Sequence, residues 1–168
     1  MLKQIKKLRR SEGFTIIEVL VVLAIAGLIM VVVFLAVPAL QRSGRNNALS
    51  TSANNILTGV GNYSSNNGGS LPGNITVAAA SGGTVTIGAS GTNQEVVKVD
   101  AGVSNFGING TTITSSAAVG TVQVITGTSA VCNSTATGLS GTGSSRSYVV
   151  LYVAEANGGT GILKCIGG

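Results

Sequence analysis

The chain has 168 residues, an ordinary length for one domain. It carries 10 Lys and Arg against 5 Asp and Glu, has no His, and combines only 9% charged residues with a mean hydropathy of +0.49. Soluble domains of this size seldom combine so few charges with so much apolar character. Without His, the commonest general acid or base and metal ligand is missing, and no Walker-type loop, Gly-x-Ser-x-Gly or Cys-x-x-Cys pattern occurs. The composition argues against most enzyme classes.

The positive charge is concentrated at the amino terminus. Five of the cations and one acidic residue lie within the first thirteen residues, whereas residues 14–168 carry five cations and four anions. A nucleic-acid-binding surface needs several cations on one face, and the scattered cations after residue 13 show no such pattern. We therefore do not expect nucleic acid to be the main partner.

An unbroken apolar run follows the basic segment. Residues 19–37 contain no charged or polar side chain, and as a helix they would span about 28 Å, close to the thickness of bilayer hydrocarbon. The run is longer than the apolar core of a Sec-type signal peptide, and it exceeds what one helix face buries in a soluble domain. The preceding cations predict that the amino terminus lies in the cytoplasm and the remainder outside. A plain membrane anchor is the simplest alternative.

One acidic residue, Glu18, stands at the start of this run. An ionisable side chain in such a place costs free energy and calls for a partner or a function. Thr15 and Glu18 match the Ser/Thr-x-x-Glu capping box, in which side chains satisfy free N–H groups of the first helical turn. This local role is compatible with a role between molecules, so both remain open.

From Gly13 the chain reads Gly-Phe-Thr-Ile-Ile-Glu-Val-Leu, and with the apolar run that follows it resembles the type IV pilin signature. The resemblance implies that a prepilin peptidase cuts between Gly13 and Phe14 and methylates the new amino terminus of Phe14. It also implies that Glu18 acts in assembly by pairing with the amine of Phe14 in a neighbouring subunit. The helix-bending proline of many pilins falls three residues earlier than Pro38 does here.

Beyond residue 38 the chain becomes polar, but apolar residues still recur every three or four positions. This spacing is typical of one helical stripe, formed by Leu49, Ala53, Ile56, Val60 and Tyr63. Glycines at three positions in this segment weaken the prediction, and a flexible polar stalk is the alternative. Asn and Gly are concentrated at residues 66–73, which predicts the end of the helix.

Short extended segments follow, separated by Gly, Ser, Asn and Thr. They predict seven strands, at residues 75–78, 84–87, 95–99, 111–114, 121–126, 148–154 and 162–166. The expected fold class is α+β, with a long N-terminal α-helix packed on a small antiparallel β-sheet head, as in pilins. We expect a basic leader at 1–13 that is cleaved, a helix at 14–67 whose part 14–38 spans the membrane or forms a filament core, and an extracellular β-rich head at 68–168.

Cys132 and Cys165 are the only cysteines, and both fall on the side predicted to be outside. A bridge between them would stabilise the head by about 3–4 kcal/mol. Pilins often carry a carboxy-terminal bridge, so the resemblance implies a disulfide here, and two free thiols are the alternative. Two cysteines without His do not suit structural zinc, and Glu95, Asp100 and Asn105 do not have EF-hand spacing. We expect no metal and no cofactor.

The resemblance implies a structural subunit of a type IV pilus, which polymerises through its apolar helix into an extracellular filament for adhesion, motility or DNA uptake. No catalysis is required of it. Its partners would be copies of itself, the prepilin peptidase, an assembly ATPase and a membrane platform protein. It would lie in the bacterial cytoplasmic membrane before assembly and outside the cell afterwards. A pseudopilin of a type II secretion or competence system and a monomeric anchored adhesin are the alternatives; the paired cysteines and few acids favour a true pilin.

Overall fold

The computed structural model describes residues 13–77, 83–89, 93–99, 103, 105–109 and 112–167. Residues 1–12 of the predicted leader, residue 78 of the first predicted strand, Asp100 and Thr111 lie outside this described part. The described residues form one long helix followed by seven strands. The expected α+β class, with an N-terminal helix packed on antiparallel β-sheet, is confirmed.

The helix α1 (Ile16–Asn66) is continuous over 51 residues and contains Pro38. Proline has no backbone N–H, so one hydrogen bond is missing there, yet the helix does not end. The chain divides after Leu40 into two compact units. In the first unit every described side chain from residue 13 to residue 40 is exposed. Of the described helices, α1 is long and apolar enough to cross a membrane, judged by its length and composition.

In the second unit α1 buries one face. This face contains the whole predicted stripe, Leu49, Ala53, Ile56, Val60 and Tyr63, together with Ser52 and Gly59. The prediction of a helical stripe is confirmed, and the alternative of a flexible polar stalk is wrong. The helix ends at Asn66 and is followed by two glycines with positive φ, a conformation that glycine adopts without steric cost.

The strands are β1 (Ile75–Val77), β2 (Thr84–Ile87), β3 (Glu95–Lys98), β4 (Asn105–Ile108), β5 (Thr121–Thr126), β6 (Tyr148–Glu155) and β7 (Gly161–Gly167). Six of them correspond to predicted strands. The strand predicted at 111–114 is wrong, because residues 112–114 are not in a strand and β4 lies earlier. Instead of bonding to a neighbouring strand, the N–H of Ile113 donates to the side-chain Oε1 of the buried Gln123 at 2.9 Å.

The strands form two sheets where we expected one. β1, β2 and β3 form an antiparallel sheet in that order, and the second sheet has the order β4-β5-β6-β7. In the second sheet β4 pairs with β5 in parallel, and the other pairs are antiparallel. Parallel neighbours need a connection of about a dozen residues, and residues 109–120 between β4 and β5 are long enough to return the chain.

β6 is central in the second sheet and is buried on both faces. Val150, Tyr152 and Ala154 belong to the cluster that contains the stripe of α1. Val149 and Leu151 belong to a second cluster, closed by residues from the loops on either side of β5. The second sheet therefore lies between the helix and a cover of loops, and its inner strand β6 is almost wholly apolar.

Gly59 allows α1 to approach the first sheet closely. A Cβ atom at this position would lie 2.6 Å from Cγ1 of Val97 and 2.7 Å from Cδ1 of Ile87. Contacts this short do not occur between real side chains, so with any larger residue the side chains of Val97 and Ile87, or the helix itself, would have to move. The glycine lowers helix propensity locally, but it is required by the packing.

Asparagine side chains fasten α1 to the edge strand β3. The amide of Asn55 donates to the carbonyl of Lys98 at 3.2 Å, and the amide of Asn62 donates to Oε1 of Glu95 at 3.2 Å. Asn67, just after the helix, donates to the carbonyl of Asn93 at 3.2 Å. We call Asn55, Asn62 and Asn67 the asparagine row. It runs along the outer edge of the first sheet, where β3 has no neighbouring strand.

Candidate processing and assembly segment

The capping box predicted at the start of α1 is formed. Thr15 precedes the first helical residue, and its N–H donates to Oε2 of Glu18 at 2.9 Å. The hydroxyl of Thr15 donates to the same oxygen at 2.6 Å, and the N–H of Glu18 donates to Oγ1 of Thr15 at 3.4 Å. These contacts satisfy two N–H groups of the first turn within the chain, as capping boxes do.

Glu18 keeps one carboxylate oxygen available. Both side-chain contacts go to Oε2, and Oε1 accepts no hydrogen bond from the described residues. The side chain lies on an exposed first turn, where the partial positive charge of the helix terminus favours an anion. The carboxylate can therefore hold Thr15 and accept a cation from another molecule at the same time.

Gly13 and Phe14 precede the helix, and both are exposed. A Cβ atom on Gly13 would meet no described residue within 4 Å, so the described part of the fold does not require glycine at this position. The side chain of Phe14 is 88% exposed and lines a shallow concave surface with Glu18 and Val22. Among the described residues nothing covers this segment, which leaves it accessible to another molecule.

The apolar half of α1 presents its Val, Leu, Ile and Phe side chains without a cover. Phe34 and Leu35, for example, are each 76% exposed. A monomeric soluble protein rarely exposes a contiguous apolar surface larger than a few hundred Å². This surface therefore requires lipid or other protein around it.

Cys132 and Cys165 form a disulfide with their Cα atoms 5.6 Å apart. Cys165 lies in β7 and is buried, and its N–H donates to the carbonyl of Ala136 at 2.8 Å. The side chain of Asn133 accepts the N–H of Thr137 at 2.8 Å, and an isolated bridge pairs Cys132 with Leu139. The bond and these contacts hold the loop after β5 against the edge of the second sheet.

The described residues contain no group of three or more His, Cys, Asp or Glu side chains that is close enough to hold a metal ion. Asp100, one of the residues compared above with EF-hand spacing, lies outside the described part of the chain. Glu95 is held by Asn62 at the edge of β3.

Among the contacts that were not predicted from the sequence is a set that joins α1 to the end of β6. Arg45 donates from Nη2 to Oε2 of Glu155 at 2.6 Å and from Nε to the same oxygen at 3.0 Å. The side chain of Asn46 donates to the carbonyl of Glu155 and accepts its N–H, both at 2.8 Å. We call these contacts the Glu155 clasp. No local pattern could indicate it, because the partners are about 110 residues apart.

These features define a class of protein: a long helix with an exposed apolar first half packs through its second half on a disulfide-bonded β-sheet head, which is a pilin-like arrangement. Residues 8–34 match the family model of the prokaryotic N-terminal methylation motif, the class III signal peptide of type IV pilins. The motif indicates a type IV pilin-like or pseudopilin-type substrate. It covers the end of the predicted leader and much of the apolar helix, and not the head. No curated protein and no solved structure matches the chain.

Proposed function

We propose that this protein is a structural subunit of a type IV pilus, which polymerises through the apolar half of α1 into an extracellular filament for adhesion, motility or DNA uptake. The observation that carries the proposal is the methylation motif at residues 8–34 on a helix whose apolar side chains are uncovered. Lipid covers this surface in the membrane, and the same surface of other copies covers it in the filament. Association of this kind requires no catalysis by the chain.

Processing takes place between Gly13 and Phe14, where prepilin peptidase removes the leader and methylates the amine of Phe14. The exposed position of both residues supports this site, as does the lack of any described neighbour within 4 Å of a Cβ position on Gly13. Cleavage creates an α-amino group four residues before Glu18, which is about one helical turn away. The new cation then lies at the amino-terminal end of the apolar surface.

Assembly places the amine of Phe14 from one subunit beside Glu18 of a neighbour. The free Oε1 atom of Glu18 supports this pairing, because the capping contacts with Thr15 occupy only Oε2. A subunit in the wrong register leaves the carboxylate without its cation in an apolar environment. The pair therefore selects the register of the helices more than it adds net stability.

The subunit lies in the bacterial cytoplasmic membrane before assembly, with its amino terminus inside and its head outside. Extraction of an apolar helix from lipid needs energy that this chain does not supply, so an assembly ATPase and a membrane platform protein are its further partners. A pseudopilin of a secretion or competence system shares the processing motif and is the principal alternative. The disulfide-bonded head and its few acidic residues favour a true pilin.

Amino-terminal analysis of the native protein tests the proposal. Intact mass and sequencing should show a chain that begins at methylated Phe14, and shearing of cells should release it in filaments. A chain that still begins at Met1 would contradict both processing and assembly, and would support a monomeric anchored adhesin. A processed chain that stays with the cell after shearing would support a pseudopilin.

Variants at Glu18 separate its charge from its capping role. Glu18→Ala should leave membrane insertion unchanged and abolish filaments. Glu18→Gln keeps a side-chain oxygen for the capping box but loses the charge, and it should also fail to assemble. Glu95→Gln, which changes an acidic residue in the head, is the matched control and should give normal filaments. Normal filament yield from Glu18→Gln would show that charge pairing is not needed.

A further inference from the structure

The chain contains three Asn-Gly pairs, at Asn67, Asn109 and Asn157. In such a pair the backbone nitrogen of glycine can attack the side-chain Cγ of asparagine, because glycine has no Cβ to obstruct the approach. The reaction requires a side-chain amide that is free to turn and a glycine N–H that is not hydrogen-bonded. The structure distinguishes the three pairs by the first requirement, the freedom of the side-chain amide.

Asn157 meets both requirements. It lies in the exposed turn between β6 and β7, and its side chain makes no hydrogen bond with any described residue. The N–H of Gly158 likewise has no acceptor among the described residues, and Gly158 has a positive φ of 88°. The N–H of Ala156 donates to the carbonyl of Thr160 at 2.8 Å and closes the turn that contains Asn157 and Gly158.

The side chains of the other two asparagines are held. The amide of Asn67 donates to the carbonyl of Tyr63 at 2.9 Å and belongs to the asparagine row. The amide of Asn109 donates to the hydroxyl of Thr126 at 2.6 Å, and its oxygen accepts the N–H of Thr126 at 2.7 Å. Each must break two hydrogen bonds before its Cγ can turn toward the next nitrogen.

We propose that Asn157 is a site of spontaneous deamidation, selected by the fold over Asn67 and Asn109. The deprotonated nitrogen of Gly158 forms a bond to Cγ of Asn157, and the side-chain nitrogen leaves as ammonia, which gives a succinimide ring. Water then adds to either carbonyl of the ring and opens it, so that position 157 becomes aspartate or isoaspartate. Water is the only co-reactant, and the reaction does not depend on the proposed function.

The conversion changes both the charge and the backbone of the turn. Residues 14–168 carry five cations and four anions, so one further carboxylate brings their net charge from +1 to zero. Proteins with no net charge associate more readily. Isoaspartate also adds a carbon atom to the backbone between Ala156 and Thr160, which disturbs their hydrogen bond. In an extracellular filament this modification would accumulate with the age of the subunit.

Peptide mapping by mass spectrometry tests the proposal on the full chain, purified in mild detergent and incubated at mildly alkaline pH. The folded protein should deamidate at Asn157 at least about tenfold faster than at Asn67 or Asn109, because each of those must first break two hydrogen bonds. In protein unfolded with urea, the three rates should become similar. Similar rates in the folded protein would overturn the proposal, and so would a preference for Asn157 that persists in urea.

Two variants complete the test by isoelectric focusing. Asn157→Gln should remove most of the acidic species that forms during incubation, because the longer side chain cyclises poorly. Asn67→Gln, the matched control, should leave the acidic species unchanged. If Asn67→Gln removes it instead, the assignment to Asn157 is wrong.

Discussion

Gly59 and Gly44 are both helical glycines of α1, but their surroundings differ. Gly59→Ala should lower the free energy of unfolding by about 1–3 kcal/mol, because its Cβ would overlap Val97 and Ile87. Gly44 has nothing within 4 Å of its Cβ position, so Gly44→Ala should raise that free energy by up to about 1 kcal/mol through helix propensity. Urea unfolding of the full chain in detergent, followed by tyrosine fluorescence, measures both. Equal destabilisation by the two variants would contradict the close approach at Gly59.

At the residue scale, the sequence predicted what depends on near neighbours. The capping box joins Thr15 and Glu18, three positions apart, and any helix that begins there forms it. The role of Gly59 in the close packing of α1 on the first sheet could not be predicted in this way. Its neighbours come from β2 and β3, and propensity alone counts this glycine as a cost.

Among the elements, the Glu155 clasp attaches α1 to β6. Asn46→Ala should lower the free energy of unfolding by about 1–3 kcal/mol, because the N–H and the carbonyl of Glu155 lose their partners in a partly buried place. Arg45→Ala should cost less than about 1 kcal/mol, because the Arg45 side chain is 53% exposed and its ion pair is screened by solvent.

Asn47→Ala is the matched control for the clasp. Asn47 is exposed, and its side chain makes no hydrogen bond with any described residue, so its replacement should leave the unfolding midpoint in urea unchanged or slightly raised. The same loss of stability in Asn46→Ala and Asn47→Ala would show that the clasp contributes nothing.

The elements themselves were largely predictable, and the exception has a physical cause. Strands with alternating Val, Ile and Thr were found because half-buried strands need that pattern. β4 contains Asn and Gly, which have low strand propensity. It forms a strand because it pairs in parallel with β5. Ile113 lies in an alternating segment, but its N–H is already held by Gln123.

At the scale of the whole molecule, the disulfide covalently joins two residues that are far apart in the sequence. Cys132 and Cys165 are 33 positions apart, and a loop of that length contributes about 3–4 kcal/mol in the chain-entropy model. Reduction should therefore shift urea unfolding of the head to lower denaturant. The double variant Cys132→Ser with Cys165→Ser should start from this lower stability and should not respond to reductant. An unchanged midpoint after verified reduction would contradict this role.

The arrangement of the sheets lay beyond sequence reasoning. Two separate sheets and the parallel β4–β5 pair depend on which strands meet, and seven short strands allow many orders. The helical stripe was easier, because residues from Leu49 to Tyr63 follow a single period whatever they pack against.

The asparagine row has a consequence for contacts between copies of the chain. An open strand edge is a template on which a foreign strand can grow, and crowding makes such growth more frequent. At β3 the carbonyl of Lys98, which could guide an incoming strand, already receives the amide of Asn55. A strand that adds at this edge must first displace Asn55, so we expect β3 to resist amyloid-like growth when copies of the chain lie close together.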